Sequence, residues 1–414
     1  MPKRRVVITG LGAVTPVGNS VDDMWTNLIA GKTGIRLVER FDTTGYPARI
    51  AAEVRGFSVE SFIPRTEARR IDLYAQYAIA ASQMAMDDAA LTIDPDTANR
   101  VGVWIGSGIG GLSTFEKQYE ALLNKGPGAV SPFLIPMMIA NMATGHVSIR
   151  FGAKGPSACS VSACASGTNS IGEAYHFIQL DKADAMIAGG AEASITPIGL
   201  AGFGAMKALS VENDNPENAC RPFHLNRPGF VMGEGAGVVV LEEMEHALKR
   251  GAKIYGEVVG YGASSDANHI VQPDSTGLVP ANAFKMALGD AGIAPEQVDY
   301  INAHGTGTKL NDLVETLAIK HVFGEHSKKL VVSSTKAATG HMLGAAGAAE
   351  FIVAVLALHH NTIPPTLNLT ESDPECDLNY NPLVKTQRDL NVVMSDSLGF
   401  GGHNAALAVK RFTP

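Results

Sequence analysis

Ser162-Ala163-Cys164-Ala165-Ser166-Gly167-Thr168-Asn169 forms the centre of residues 157–174, which read as an extended strand entering a helix of small residues. Residues 331–349 repeat that scheme around Lys336-Ala337-Ala338-Thr339-Gly340-His341. In each case a later strand candidate runs into glycine-rich sequence: Ala188-Gly189-Gly190 after the first, and Ser397-Leu398-Gly399-Phe400-Gly401-Gly402 after the second. Two copies of one order of elements imply an internal duplication, although few residues match position by position.

Outward from these blocks, short β-branched runs recur at residues 5–8, 101–105, 185–188 and 238–241. They recur again at 254–259, 300–302, 330–333, 392–395 and 405–409. Continuous apolar strands alternating with helical patterns predict sheets buried on both faces, hence an α/β architecture. No Pro/Ser-rich linker separates the halves, which favours one compact unit.

The 414 residues are 45% hydrophobic and 18% charged, enough to bury a large core. A net charge of −8 argues against a general nucleic-acid binder, whose affinity comes largely from clustered Lys and Arg. The four cysteines (Cys159, Cys164, Cys220 and Cys376) make neither a disulfide framework nor a CxxC zinc motif. The opening Met1-Pro2-Lys3-Arg4-Arg5 before Val6-Val7-Ile8 superficially resembles a signal peptide, but Gly10, Gly12 and Pro16 break the apolar run. The most apolar helix candidate, residues 351–358, is far shorter than the ~20 residues of a bilayer span. A soluble cytoplasmic protein without a membrane partner is therefore expected.

Cys164 sits at a strand-to-helix turn, where unpaired N–H groups and the helix dipole favour a thiolate. A lone cysteine is more often a buried, inert residue. Here the small, hydroxylated neighbours allow close substrate approach and point to a nucleophile. His304, in Asn302-Ala303-His304-Gly305-Thr306, and His341, after Thr339-Gly340, occupy nearly parallel strand-end settings flanked by glycine. Two such histidines beside a candidate nucleophile make catalysis the better reading than two capped core residues. Gly106-x-Gly108-x-x-Gly111 suggests dinucleotide binding, but the second strand ending in an acidic residue is missing, because residues 116–123 read as helix. No P-loop, HExxH or GxSxG sequence occurs.

Over essentially its whole length, and with these three blocks at fitting spacing, the chain resembles the β-ketoacyl-[acyl-carrier-protein] synthases, type II more closely than type I. The resemblance implies a thiolase fold, two similar α/β halves in five αβαβα layers, divided here as residues 1–252 with the nucleophile and 253–414 with the two histidines. It implies a homodimer that needs no cofactor and no metal, with acyl carrier protein as partner. Cys164 would accept the acyl chain, and His304 and His341 would bind the malonyl thioester carbonyl. Lys336 and Glu350 would support them. Phe400 would gate the site and pair its N–H with that of Cys164 in an oxyanion hole.

The same resemblance puts Thr306, Thr308, Gly399 and Gly401 along the substrate path. It lines an acyl tunnel with Ile109 and Phe203, with Phe133 reaching across the dimer interface; ordinary core packing is the alternative for Phe133. Arg65, Arg69 and Arg70, at helical spacing in residues 64–74, and Lys207 would meet the acidic carrier at the tunnel mouth, unless they form only a solvated face. Three positions depart from the family's habit: His224, Pro228 and His403.

Rival readings fit less well. Non-decarboxylating thiolases use a second cysteine in the C-terminal glycine-rich loop, which here carries His403. Chain-initiating synthases pair cysteine with His and Asn, whereas His341 stands in the second position. A catalytically dead partner subunit would lack Cys164, and a dehydrogenase would rest on the glycine pattern alone.

Overall fold

The computed structural model describes residues 3–414, so Met1 and Pro2 of the basic opening lie outside the described residues. Ten strands join in one sheet: β1 (Val6–Val14), β2 (Val101–Gly106), β3 (Ser157–Ala158), β4 (Ala185–Glu192), β5 (Gly235–Glu243), β6 (Gly256–Ser265), β7 (Tyr300–Asn302), β8 (Val331–Ser333), β9 (Val392–Gly399) and β10 (His403–Lys410). Their spatial order is β8-β7-β9-β10-β6-β1-β5-β4-β2-β3.

The duplication is explicit in that order. Within each half, counting strands from its own start, the sequence inward from the edge is third, second, fourth, fifth, first. The first two junctions from each edge are parallel and the next two antiparallel. The halves meet where Val6, Val7 and Ile8 pair antiparallel with Val258, Glu257 and Gly256.

Six helices complete the layers: α1 (Leu73–Ala89), α2 (Leu112–Lys125), α3 (Ser166–Gln179), α4 (Leu278–Ala291), α5 (Lys309–Phe323) and α6 (Ala346–His360). α1 covers β1, β5 and β4 on one outside, and α4 covers β6 and β10 on the other. α3 and α6 fill the layer between, packed on each other and on strands of both halves. This is the thiolase-like arrangement expected. Its largest core cluster mixes Ile8, Ile171 and Val239 with Val258, Phe351 and Val393, so the halves share one interior.

Strands run past their apolar runs because close packing requires glycine there. A Cβ at Gly10 or Gly12 of β1 would collide with the carbonyl oxygens of Ala85 and Ala81 on α1. Gly260 and Gly262 of β6 stand in the same relation to Ala287 and Ala283 on α4. The glycines that break the hydrophobic run are thus inside the strand. By contrast, the extended stretch before Cys164 contributes only Ser157 and Ala158 to the sheet.

The apolar segment at residues 351–358 also proves longer. Leu343–His360 reaches 18 residues with a mean hydropathy of 1.5, but 89% of it is buried inside the protein. A helix apolar on every face fits a central layer packed against strands of both halves.

Candidate active site

Cys164 lies in a single 3-10 turn, Ala163–Ala165, that leads into α3. Ala163 holds a left-handed φ of 51°, a conformation costly for a residue with a Cβ. Local hydroxyls fix the turn: Ser166 Oγ donates to Ala163 O at 2.7 Å and accepts from Ser162 N at 3.0 Å. Ser162 Oγ donates to Asn169 Oδ1 at 2.6 Å. These are the small polar neighbours whose presence favoured the nucleophile reading.

His304 follows β7, and its loop is held by α5. Glu315 accepts the N–H groups of His304 and Gly305 at 2.6 and 2.8 Å. Asp312 accepts that of Gly307 at 3.2 Å. His341 is fixed through its backbone, donating to Val231 O at 2.7 Å and accepting from Gly233 N at 2.8 Å. Its Nε2 lies 3.0 Å from Cys164 Sγ. The two imidazoles stand edge to face, 5.1 Å apart. Behind them Lys336, fully buried, pairs with buried Glu350.

Burial sets the electrostatics. Cys164 packs with Ile195, Phe230 and Leu343. Desolvation pushes its thiol up to about 11, against the opposing pull of Lys336 and the N–H groups of Phe400 and Cys164 itself. The thiolate expected from the helix start is therefore not the resting form, because loss of water outweighs those favourable charges. Desolvation, followed by Lys336, also holds His304 and His341 well below the usual histidine range. The resting site is a neutral thiol beside two neutral imidazoles. The sulfur and ring nitrogens lie within 4.8 Å of one another, close enough to share a metal ion.

A cavity of about 480 Å³ opens onto this cluster. Cys164, His304, His341, Thr306, Thr308, Phe203, Lys207, Gly399 and Phe400 line it. The hydroxyls of Thr306 and Thr308 lie 3.0 Å apart. Gly401 stands outside the lining, donating to Ile270 O at 2.8 Å.

Other expected residues are elsewhere. Ile109 and Phe133 do not line the cavity and are 40% and 37% exposed in the single chain. The Arg70 guanidinium covers the Phe133 ring at 4.8 Å. Arg65, Arg69 and Arg70 do not share one helix face. The helix starting at Arg65 ends at Ala68, Arg69 caps it, and Asp72 caps the separate α1. Arg69 borders a different hollow, with Asp72, Lys117 and Ile198, while Lys207 borders the Cys164 cavity.

Of the unusual positions, His224 bonds Thr370 Oγ1 at 3.1 Å and accepts from Asn226 N. Pro228 lines the cavity and His403 is exposed. Sequence reasoning missed Glu315, Asp312 and Arg227. Buried Arg227 donates to the carbonyls of Thr308 and Lys309 and to Asp373. The acidic pair of α5, three residues apart just after the His304 loop, was the available signal.

Comparison with known proteins agrees with this fold. Residues 3–247 match the family "Beta-ketoacyl synthase, N-terminal domain", and residues 255–370 match its C-terminal counterpart. A Synechocystis protein named 3-oxoacyl-[acyl-carrier-protein] synthase 2 is 50% identical, the match covering 100% of this chain and 99% of the relative. A Staphylococcus aureus protein of the same name is 52% identical over 99% of both. A β-ketoacyl synthase structure from Burkholderia phymatum superposes with a TM-score of 0.91 at 36% identity, over 99% of this chain and 100% of that one. A type II PKS ketosynthase solved in complex with its acyl-carrier protein gives 0.90 at 34%, with the same coverage. With both family domains matched and full-length relatives at half identity, this chain belongs to the β-ketoacyl synthase family.

Proposed function

We propose that the protein is an elongating β-ketoacyl-[acyl-carrier-protein] synthase of fatty acid biosynthesis, adding two carbons from malonyl carrier to an acyl chain held on Cys164. The observation that carries this reading is the buried convergence of one thiol and two neutral imidazoles. In the first half-reaction the thiol attacks the acyl thioester, its proton passes to the departing carrier thiol, and the chain becomes a Cys164 thioester. In the second, malonyl thioester loses CO₂ and the electron pair forms an enolate. Neutral His304 and His341 donate hydrogen bonds to that oxygen, which acquires negative charge only as the C–C bond breaks. The enolate carbon attacks the Cys164 thioester, and the N–H groups of Cys164 and Phe400 receive the tetrahedral oxyanion. Collapse expels the thiolate, which takes up one proton.

Acyl carrier protein is the substrate-bearing partner in this reading, supported by the carrier complex of the related ketosynthase. The protein acts in the cytoplasm as a homodimer. A second copy would cover exposed Phe115 and Tyr119 of α2 together with Phe133 and Ile135. The test is mass spectrometry after incubation with acyl thioester, followed by malonyl carrier. An acyl adduct on Cys164 that is converted to β-ketoacyl carrier with release of CO₂ is expected. An unmodified Cys164 alongside normal product would overturn the reading.

A further inference from the structure

Tyr261 stands in the middle of β6, in the second half of the chain, yet its side chain serves the first half. A Cβ on Gly172 of α3 would strike its ring, so the helix is seated directly against the aromatic side chain. The buried phenol accepts Asn169 Nδ2 at 2.7 Å and donates to Glu173 Oε1 at 3.4 Å. Asn169 Oδ1 in turn accepts Ser162 Oγ at 2.6 Å. Ser162 caps the turn Ala163–Ala165 that presents Cys164. A continuous chain of hydrogen bonds thus runs from a strand of the second half to the start of the nucleophile's turn. Ser162, Asn169 and Tyr261 do not line the cavity, so they act through the turn.

The turn needs holding. Ala163 sits at φ 51°, a conformation that alanine keeps only when its surroundings over-determine it. The Ser166 hydroxyl bonds within the turn and fixes its shape, but it moves with the turn and cannot fix its place. The sheet offers little help, because the preceding stretch leaves it after Ala158. The Ser162-Asn169-Tyr261 chain supplies the attachment to a rigid strand.

We propose that Tyr261 and Asn169 are positioning residues for Cys164, tethering its strained turn to the second half of the protein through Ser162. This rests on the condensing activity proposed above. Tyr261→Phe keeps the ring under α3 and removes the hydroxyl. Asn169→Leu keeps the size and removes both bonds. Either change frees the turn while His304 and His341 keep their own attachments.

The experiment takes each variant alone and combined with Ala163→Gly. It measures acyl loading of Cys164 from decanoyl carrier, thermal unfolding, and CO₂ release from malonyl carrier by the Cys164→Gln form, which cannot be acylated. Loading should slow by about tenfold in Tyr261→Phe and in Asn169→Leu, the scale of one lost hydrogen bond. Decarboxylation should stay within about twofold of its value without the added change. Adding Ala163→Gly should restore most of the loading rate, because glycine holds a positive φ without the tether. Unchanged loading, equal slowing of both steps, or the same loss with Ala163→Gly present overturns the proposal and leaves Tyr261 a packing residue. If Tyr261→Phe and Asn169→Leu do not fold, Ser162→Ala, which cuts only the last link, decides by the same split. A wild type that takes no acyl group onto Cys164 would instead sink the proposed function.

Discussion

The turn Ala163–Ala165 and the turn Leu343–Ala345 are the same piece of architecture used twice. Each begins with a left-handed residue, Ala163 at φ 51° and Leu343 at φ 50°, and each feeds a central helix, α3 or α6. Gly167 and Gly347, one in the first turn of each helix, let the two approach: a Cβ on Gly167 would lie 2.8 Å from Ala348 N, and one on Gly347 would strike Thr168. The middle residue differs. The first turn presents Cys164 to the cavity, whereas the second has Gly344, whose N–H is bound to Glu192. One copy of the scaffold carries the nucleophile, and the other supplies the wall behind it.

The largest effect should come from removing that difference. Cys164→Ala is expected to abolish condensation, because Cys220 and Cys376 are buried away from the cavity and Cys159 does not line it. Cys164→Gln, shaped like an acylated cysteine, should retain or raise malonyl decarboxylation. Product formation by Cys164→Ala at the wild-type rate would break the comparison outright.

Next come the histidines, both delivered by the second half. His304→Ala and His341→Ala should each slow decarboxylation by about 10²–10³, the usual cost of one lost oxyanion donor, and acyl transfer to Cys164 by much less. Radiolabelled acyl transfer separates the two steps. Mutants that decarboxylate normally but fail to acylate would reverse the assignment.

The pH dependence of Cys164 tests what its turn does to the thiol. With burial holding the pKa up to about 11, the thiolate fraction grows about tenfold per pH unit through pH 7–9. Alkylation of the free enzyme by iodoacetamide should climb accordingly, without a plateau. A plateau below pH 8 would mean that the helix start and Lys336 outweigh desolvation after all. Because His304 and His341 are held low, their neutral form persists through the same range, and decarboxylation by Cys164→Gln should stay flat there.

Two stability measurements complete the comparison of the turns. Ala163→Gly should relieve left-handed strain and gain about 1 kcal/mol. Leu343→Ala keeps the strain and loses a buried side chain, a cost of about 2–5 kcal/mol. Urea unfolding of both variants checks the pair; equal changes would show that the two turns are not loaded as described.

Much of this was legible in the chain. Alternating apolar runs announced the α/β class, and the repeated strand-to-small-helix scheme announced the duplication, since both depend on local periodicity. Cys164, His304 and His341 stood out because glycine and hydroxyl neighbours mark places where a side chain can meet a substrate. The helical spacing read for Arg65, Arg69 and Arg70 did not hold, because a sequence pattern says nothing of where a helix stops: the first ends at Ala68 and Asp72 begins a new one.

What the sequence by itself determined, then, is the fold class, the duplication and the three candidate residues, Cys164, His304 and His341, that the fold brings together. Tertiary structure alone decided three things. It set the identical strand order of the halves and their junction at Val6–Ile8, which depend on pairing across some 250 residues. It set the neutral resting charge of Cys164, His304 and His341, because desolvation exists only once the core has closed around them. It also gave Glu192, Asp312 and Glu315 their tasks, since a carboxylate acquires a role only when distant backbone N–H groups are brought to it.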